Sequence, residues 1–393
     1  MNRLIASVLL CLILTLQFSS CIIPDAPSFS EDMQAHTDTE TVEDTTDEAN
    51  IPDEDVFAPV WTDASRCANL FFENVKTAVV DHSKREYSYA EMEVDLAALA
   101  QAYPTRFSYR SFGQSVVGRE LYVAVLGNPN AKKQILVSAG IHGREYLTPV
   151  LVMKQIEFYL YYYNVGEYNG IPYRTLFENC CFYIVPMTNP DGIMLSQAGL
   201  DSLTDAALRE KVRAVYNADF SKGYTSQTDI DEYLKYWKAN ANGVDLNRNF
   251  DALWEQYRAG EREPCHKNYK GPSAASEPET LALVTLTESL SNVQAVLCIH
   301  SQGEVLYWDC GQEKDLLDRT LAFTTAVSDR NGYEIVEERN NDASYSDWCA
   351  LEKGLIAITV ETGKGTCPLF IDKFEAMWFD NFDLLPLSAA YFR

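Results

Sequence analysis

Residues 135–163 constrain the fold more than any other stretch, because they join a short apolar segment to a long apolar-periodic one. Residues 135–140 are apolar and rich in β-branched side chains, which predicts a buried strand. From Thr148 onward, apolar residues recur at helical spacing, which predicts a helix. The turn between these two elements lies at the carboxyl end of the strand, where α/β sheets bind their ligands.

That turn contains His142 and Glu145, which two residues separate. A neutral imidazole and a carboxylate are both suitable ligands for zinc, so the turn could close around one ion. A His-x-x-Glu pair alone is weak evidence, because a surface turn with an ion pair between Glu145 and Arg144 is the more common explanation. The interpretation therefore depends on residues further along the chain.

Two later apolar runs also end in residues that could act in the same crevice. Residues 293–299 run directly into His300, and residues 355–360 run into Glu361. His300 could supply a third metal ligand, although a lone histidine here would more simply be a hydrogen-bonded core residue. A carboxylate at the point where an apolar strand reaches the surface is well suited to act as a general base with a raised pKa.

A third pattern places Asn247 next to Arg248. A guanidinium group binds carboxylates through paired hydrogen bonds, so Arg248 is a candidate for holding the carboxylate of a substrate. A structural ion pair is the alternative explanation.

Helical and strand patterns alternate along residues 86–393, and no internal repeat interrupts them. Such alternation predicts one α/β domain with a mainly parallel or mixed sheet that is covered on both faces. Residues 57–85 show no clear motif, and we interpret them as an N-terminal extension that packs on this domain.

The N-terminus has the pattern of an export signal. Met-Asn-Arg precedes the apolar run of residues 4–16, which is too short to be a comfortable membrane span, and small residues follow it. Ser19-Ser20-Cys21 resembles a bacterial lipobox, so residues 1–21 are predicted to be a signal peptide and Cys21 the lipidated first residue. We therefore expect the protein at the extracytoplasmic face of a bacterial membrane, held by a lipid anchor, or secreted.

Residues 22–56 contain twelve acidic residues and no lysine or arginine, and they carry about half of the net charge of −25. This composition predicts a disordered linker. The negative charge argues against a nucleic-acid partner, whose phosphates would be repelled, and we expect a monomer. Eight cysteines lie outside Cys11 and Cys21, an even number that permits disulfides in an exported chain, with pairing left open.

Taken in order, the motifs are His142-x-x-Glu145, Asn189-Pro-Asp-Gly, Asp245-x-Asn-Arg248, Tyr269-x-Gly, Ser276-Glu277, His300-Ser301 and Glu361-Thr-Gly. This ordered set resembles the M14 zinc metallocarboxypeptidases over residues 86–393. The resemblance implies an α/β fold of three layers, α/β/α, with a central mixed, mostly parallel twisted sheet, the funnelin fold. It also implies one zinc ion that His142, Glu145, His300 and a water hold.

Four segments are similar to one branch of that family, the bacterial γ-D-glutamyl-L-diamino-acid endopeptidases. They are residues 236–250, 300–304, 346–348 and 360–369. Those enzymes cut the γ-D-glutamyl–diaminopimelate bond of peptidoglycan stem peptides. The resemblance thus implies a peptide or stem-peptide substrate that a zinc-activated water attacks, with Glu361 as the base. Arg248 and Asn247 would hold a carboxylate on the leaving-group side.

The sequence departs from the family at two positions. Asn242 stands where relatives often have the arginine that stabilises the oxyanion, so Lys238, helped by Arg144, is the expected replacement. The tyrosine that caps the substrate in digestive enzymes has no counterpart at its usual place, and Tyr345 is the candidate substitute.

Two alternatives stay open from the sequence. The first is an ordinary metallocarboxypeptidase that releases C-terminal residues, which cleavage of simple blocked dipeptides without diaminopimelate would favour. The second is a tethered protein with a degenerate site that binds wall peptides without cutting them. Stoichiometric zinc and peptide binding without hydrolysis would favour it.

Overall fold

The computed structural model describes residues 79–339 and 341–393. The predicted signal peptide, the lipidation at Cys21, the acidic linker and most of the extension lie outside these residues. Within the described part of the chain, no helix combines the length and the apolar character that crossing a membrane requires.

An eight-stranded sheet forms the centre of the structure. Its members are β1 (Phe107–Gln114), β2 (Glu120–Leu126), β3 (Lys133–Ala139), β6 (Cys180–Val185), β7 (Val293–His300), β8 (Val305–Tyr307), β9 (Glu334–Ile335) and β10 (Ile356–Glu361). The strand order is β1-β2-β6-β3-β7-β10-β8-β9. The four central strands β6, β3, β7 and β10 run parallel, whereas β1, β2 and β8 pair antiparallel with their inner neighbours. The predicted mixed, mostly parallel sheet is confirmed. A separate small sheet pairs β4 (Glu167–Tyr168) with β5 (Ile171–Pro172).

Helices cover both faces of the large sheet and give the predicted three layers. They are α1 (Tyr89–Ala102), α2 (Leu147–Tyr161), α3 (Tyr173–Asn179), α4 (Pro190–Ala198), α5 (Ala206–Ser221), α6 (Ile230–Leu234), α7 (Pro278–Ser289), α8 (Lys314–Asn331), α9 (Tyr345–Leu351), α10 (Phe374–Asn381) and α11 (Leu384–Tyr391). Helix α1 begins with reciprocal bonds: Ser88 Oγ accepts from the backbone N–H of Glu91, and the Glu91 carboxylate accepts from the backbone N–H of Ser88.

The central strands are buried because layers of helix lie above and below them. Every residue of β3 from Gln134 to Ala139 is buried, as are all six residues of β6. Continuous apolar strands of this kind are typical of parallel strands that helices cover on both faces. The seven cysteines among the described residues are all unpaired, so the disulfides that the composition permits do not form there.

The described end of the extension packs on helix α2. The backbone N–H groups of Val79 and Val80 donate to the Glu157 carboxylate, at 2.6 and 3.3 Å. The Lys154 ammonium donates to the same carboxylate and to the carbonyl of Val80. These bonds satisfy two charged side chains that would otherwise be buried in the apolar layer without partners.

Candidate active site

The carboxyl ends of three neighbouring strands place the site. His142 and Glu145 lie in the turn after β3, His300 is the last residue of β7, and Glu361 is the last residue of β10. In the parallel register of β7 and β10, Glu361 lies directly beside His300. Parallel strands end at the same edge of a sheet, so residues more than two hundred positions apart meet there.

His142, Glu145 and His300 form a compact, buried cluster. The Nδ1 atom of His142 lies 2.7 Å from one carboxylate oxygen of Glu145, and the Nδ1 atom of His300 lies 3.2 Å from the other. Although burial acts to raise it, the two imidazoles hold the pKa of Glu145 well below its usual range. Metal binding requires this carboxylate to be ionised and both imidazoles to be neutral.

The donor set fits zinc. Two imidazoles and one carboxylate, with the fourth position left to the pocket, are a typical set of protein ligands for catalytic zinc. The other ring nitrogen of His142, Nε2, lies 3.2 Å from the Oδ1 atom of Asp245. A carboxylate behind a metal-binding histidine orients the ring and strengthens it as a ligand. Asp245 begins the Asp-x-Asn-Arg motif, but no sequence pattern predicted its contact with His142.

Glu361 borders the same pocket as His142. Desolvation raises the pKa of Glu361 to about 7, while the neighbouring His300 acts to lower it and Glu145 to raise it. A carboxyl group that titrates near neutrality can both accept a proton and return it, which is what general acid–base catalysis needs.

Lys238 lies in the wall of this pocket, beside His142 and Glu361. Its backbone is fixed from two directions, because its N–H donates to the carbonyl of His266 and its carbonyl accepts from the N–H of Gly143. Asn242 is engaged elsewhere: its amide donates to Glu277 and accepts from Lys211. Lys238, and not Asn242, therefore lines the pocket. Its role in catalysis stays a prediction.

Arg144 follows Gly143 in the turn that carries two of the metal-binding candidates. Its Nε atom is buried and has no hydrogen-bond partner among the described residues. The guanidinium is close enough to Glu361 to act on the pKa of that carboxyl.

Asn247 and Arg248 line the pocket together. The Arg248 guanidinium donates to the hydroxyl of Tyr257 at 3.1 Å and pairs with Asp342 at 3.0 Å. These bonds hold the side chain in one orientation. The pair with Asp342 is the structural ion pair that the sequence left open as the alternative, so a role of Arg248 as a carboxylate clamp stays a prediction.

The structure corrects the prediction for Tyr345. Its side chain is only 1% exposed, packs against Phe250 and Trp348, and bonds through its hydroxyl to Thr287 at 2.6 Å. The prediction that Tyr345 binds substrate is therefore wrong, because the apolar face of helix α9 turns the ring into the core. Its backbone N–H instead donates to the side-chain carbonyl of Asn247.

The tyrosine that does border the pocket is Tyr307, at the end of strand β8. The sequence analysis missed it because a strand of three residues leaves almost no periodic signal.

Residues 92–368 match the family described as zinc carboxypeptidases, peptidase M14. The chain belongs to this family. Over 76% of its length it is 32% identical to γ-D-glutamyl-L-diamino acid endopeptidase 1 of Lysinibacillus sphaericus, of which the match covers 70%. It is also 28% identical to carboxypeptidase B of Astacus astacus, over 70% of this chain and 85% of that protein.

Solved structures of zinc carboxypeptidases share the fold. Thrombin-activatable fibrinolysis inhibitor superposes with a TM-score of 0.61 at 18% identity, over 82% of both chains. Carboxypeptidase A from Helicoverpa armigera gives a TM-score of 0.58 at 18% identity, over 83% of this chain and 79% of that one. The predicted fold class, the zinc cofactor and the assignment as a metallopeptidase are confirmed.

Proposed function

We propose that this zinc carboxypeptidase-family enzyme is exported and hydrolyses the γ-D-glutamyl–diaminopimelate bond of peptidoglycan stem peptides. The endopeptidase from Lysinibacillus sphaericus supports the substrate class, since it is 32% identical over most of the chain. The structural observation that supports a leaving residue with an ammonium group is the acidic lining of the pocket, and the similarity to the endopeptidase supports the γ-linked bond.

That pocket is polar and predominantly acidic. Beyond the metal-binding side it is lined by Tyr307, Trp308, Asp309, Cys310, Asp342, Ser344, Ser346, Asp347, Ala357 and Thr359. Its carboxylates outnumber its two cations, Lys238 and Arg248, although Asp342 pairs with Arg248 and Asp309 with Arg339. A pocket of this kind favours a leaving residue with a polar side chain that ends in an ammonium group, and it disfavours bulky apolar side chains. Diaminopimelate has such an ammonium group, in addition to a carboxylate that Arg248 can hold.

The chemistry follows from the placement of the side chains. When bound by His142, Glu145 and His300, zinc polarises the scissile carbonyl and makes a water molecule more acidic. Glu361, at the same edge of the sheet, takes the proton of the attacking water and delivers it to the departing amine.

Two cations in the lining of the pocket would orient the reaction. Lys238 presents its ammonium where negative charge develops on the carbonyl oxygen. Arg248 and Asn247 bind the carboxylate of the residue that leaves, which positions the scissile bond between the metal-binding residues and Glu361.

Export and lipidation at Cys21 belong to the same proposal. The charged start, the short apolar run and Ser19-Ser20-Cys21 support them. A tether of residues 22–56 would keep the enzyme near the wall peptides that it cuts.

Carboxypeptidase activity on ordinary peptides is the second candidate, which the similarity to carboxypeptidase B of Astacus astacus favours. The acidic pocket would in that case accept C-terminal lysine or arginine. The two candidates differ in whether the bond that is cut follows a γ-linked D-glutamate.

The test is to incubate the zinc-loaded full chain with L-Ala-γ-D-Glu-meso-diaminopimelate and to follow the products by mass spectrometry. Free diaminopimelate is the expected product, and Glu361→Gln supplies the inactive control. L-Ala-γ-D-Glu-L-Lys, which lacks the distal carboxylate, and blocked dipeptides that end in lysine, arginine or phenylalanine serve as matched substrates. An intact stem peptide together with rapid cleavage of the blocked dipeptides would overturn the proposal in favour of the second candidate.

A further inference from the structure

A second cluster of potential metal ligands lies outside the active-site pocket. It consists of Asp219 from helix α5 and the adjacent residues Cys265 and His266 from the loop before α7. All three are buried, and one ligand atom of each lies within 4.8 Å of the others. The mechanism proposed above uses none of them.

Two of the three distances in this cluster are close to those of a tetrahedral zinc site, and the third is as short as a hydrogen bond. Bonds of about 2.0 Å to oxygen or nitrogen and about 2.3 Å to sulfur place neighbouring ligand atoms roughly 3.3 to 3.6 Å apart. The Cys265 sulfur lies 3.4 Å from Asp219 Oδ2 and 3.6 Å from His266 Nδ1. The remaining edge, from His266 Nδ1 to Asp219 Oδ2, is 2.7 Å. The zinc cluster of the active site has a histidine–carboxylate edge of the same length.

The Asp219 carboxylate has an uneven set of partners. Its Oδ2 atom faces four groups: the Tyr233 hydroxyl at 2.6 Å, the His266 backbone N–H at 3.1 Å, and the His266 ring and Cys265 thiol already described. Its Oδ1 atom is buried and has no hydrogen-bond partner among the described residues. A buried carboxylate oxygen without a partner is costly, and an ion is one of the groups that commonly supply it.

The donor types indicate which ion would bind. A thiolate, an imidazole and a carboxylate together suit zinc, whereas calcium and magnesium prefer sets of oxygen ligands only. A role for Cys265 as a nucleophile fits less well, because the side chain is only 1% exposed.

We propose that Asp219, Cys265 and His266 bind a second zinc ion, which has a structural role. The unpaired Oδ1 atom of Asp219 can bind the same ion as Oδ2, which would make the carboxylate a bidentate ligand and the coordination irregular. The Cys265 thiol releases its proton to solvent on binding, and the neutral His266 imidazole donates its Nδ1 lone pair. The Tyr233 hydroxyl continues to donate to the carboxylate and orients it.

This ion would fix the part of the backbone that holds Lys238. The carbonyl of His266 accepts the N–H groups of both Lys238 and Ala239, at 2.9 and 3.1 Å. The carbonyl of Lys238 in turn accepts the N–H of Gly143, the neighbour of His142. The second ion therefore stabilises the loop between the two clusters without touching the substrate.

The first test is the zinc content of the tag-free full chain, loaded with zinc, separated from free metal and measured by mass spectrometry. We expect two zinc ions per chain. Cys265→Ala and His300→Ala should each lower the content to one, because each removes a ligand from a different cluster. Cys181→Ala, which removes another buried cysteine, should leave it at two.

The second test identifies the sulfur ligand in the unaltered chain. Replacement of zinc by cobalt(II) should give a thiolate-to-cobalt charge-transfer band in the near ultraviolet, because Cys265 would bind the ion through its sulfur. The active-site cluster contains no sulfur ligand and so cannot produce this band. The band should persist in His300→Ala and in Cys367→Ala, whose sulfur lies near the active site, and should disappear in Cys265→Ala and Asp219→Asn.

The unaltered chain decides the matter even if a variant fails to fold. One zinc per chain and no thiolate band would overturn the proposal while leaving the proposed peptidase activity intact. Two zinc ions that persist in Cys265→Ala would overturn it as well, because the second ion would then bind elsewhere.

Discussion

The active-site cluster and the second cluster are built from similar side chains but face different surroundings. Each contains a buried carboxylate with a histidine nitrogen at 2.7 Å. The active-site cluster opens into a pocket that Lys238, Arg248 and Glu361 border. In the second cluster the Tyr233 hydroxyl and the Cys265 thiol converge on the carboxylate.

The difference teaches that the ligands alone do not produce catalysis. Zinc sites with structural roles are closed by protein ligands, whereas catalytic sites keep a position open for water and substrate. The active-site cluster has Glu361, Lys238 and Arg248 beside it in one pocket, and we propose that they act as general base, as cation for the developing charge and as carboxylate clamp. Lys238 joins the two, since its N–H bonds to the second cluster and its carbonyl to the turn of the first.

The largest expected effect is a loss of turnover without a loss of zinc at the active-site cluster. Glu361→Gln should lower kcat by about 10² to 10⁴-fold, because the amide cannot accept the proton of the attacking water. The zinc content should remain at two per chain. Steady-state kinetics and metal analysis check this, with Glu352→Gln, an exposed glutamate, as the control. Near-normal turnover of Glu361→Gln would show that another group is the base.

The next effect tests the residue that links the two clusters. Lys238→Ala should lower kcat by about 10² to 10³-fold, the usual loss when one donor to a developing oxyanion is removed. KM should change little, and Lys238→Arg should recover part of the rate. Lys235→Ala, an exposed lysine three residues earlier, is the matched control. A rise in KM with kcat unchanged would mean that Lys238 binds the substrate in its ground state instead.

Arg248→Ala should affect binding more than the chemical step. A hydrogen bond to a charged group contributes about 1.5 to 3 kcal/mol, so KM for the stem peptide should rise by roughly 10 to 100-fold. Arg258→Ala, an exposed arginine nearby, should leave KM unchanged. A loss confined to kcat would contradict the assignment of Arg248 as the clamp for the leaving-group carboxylate.

A double-mutant cycle tests whether the second cluster affects catalysis through Lys238. Cys265→Ala should lower kcat only several-fold, since the loop loosens but every pocket side chain remains. Added to Lys238→Ala, it should cause almost no further loss, because the residue that the loop positions is already absent. Full additivity of the two effects in kcat would show that the second cluster does not act through Lys238.

The last effect is on the free energy of unfolding and not on a rate, and it concerns a glutamate that bonds to Asn240, close to Lys238 in sequence. Glu279 accepts bonds from the N–H of Val116 and the amide of Asn240, and burial, followed by nearby Asp191, raises its pKa to about 8 from an ordinary 4.5. Between pH 4.5 and about pH 8, Glu279 keeps its proton in the folded chain, whereas the same carboxyl group in the unfolded chain has released it. This contribution to the free energy of unfolding is full below pH 4.5 and is lost as pH rises toward 8.

Urea unfolding of the zinc-saturated chain at a series of pH values measures this contribution. In Glu279→Gln the free energy of unfolding should fall less between pH 4.5 and pH 8, by an amount on the order of a few kcal/mol. Glu288→Gln, an exposed glutamate on the same helix, should behave like the unaltered chain. Parallel pH profiles of Glu279→Gln and the unaltered chain would mean that Glu279 is ionised in the folded protein.

The sequence predicted well those site residues that stand at the ends of strong local patterns. His300 and Glu361 each follow a continuous apolar run, and His142 and Glu145 lie between a strand and a helix. The rules that place parallel strands side by side then bring these ends to one edge.

The predictions that the structure corrected or extended depend on contacts between distant segments. Tyr345 shares its neighbourhood in sequence with pocket residues, but the burial of one face of helix α9 directs its ring into the core. Asp219 and His266 are 47 positions apart, and no local pattern connects them.

The sequence by itself thus determined the fold class, the metal-binding turn and the family. Each of these depends on short local patterns that can be recognised without knowing how distant segments pack. The tertiary structure decided which way Tyr345 points, how Lys238 is held and that Cys265 meets Asp219. The physical reason is that packing, unlike periodicity, depends on which distant side chains compete for the same buried space.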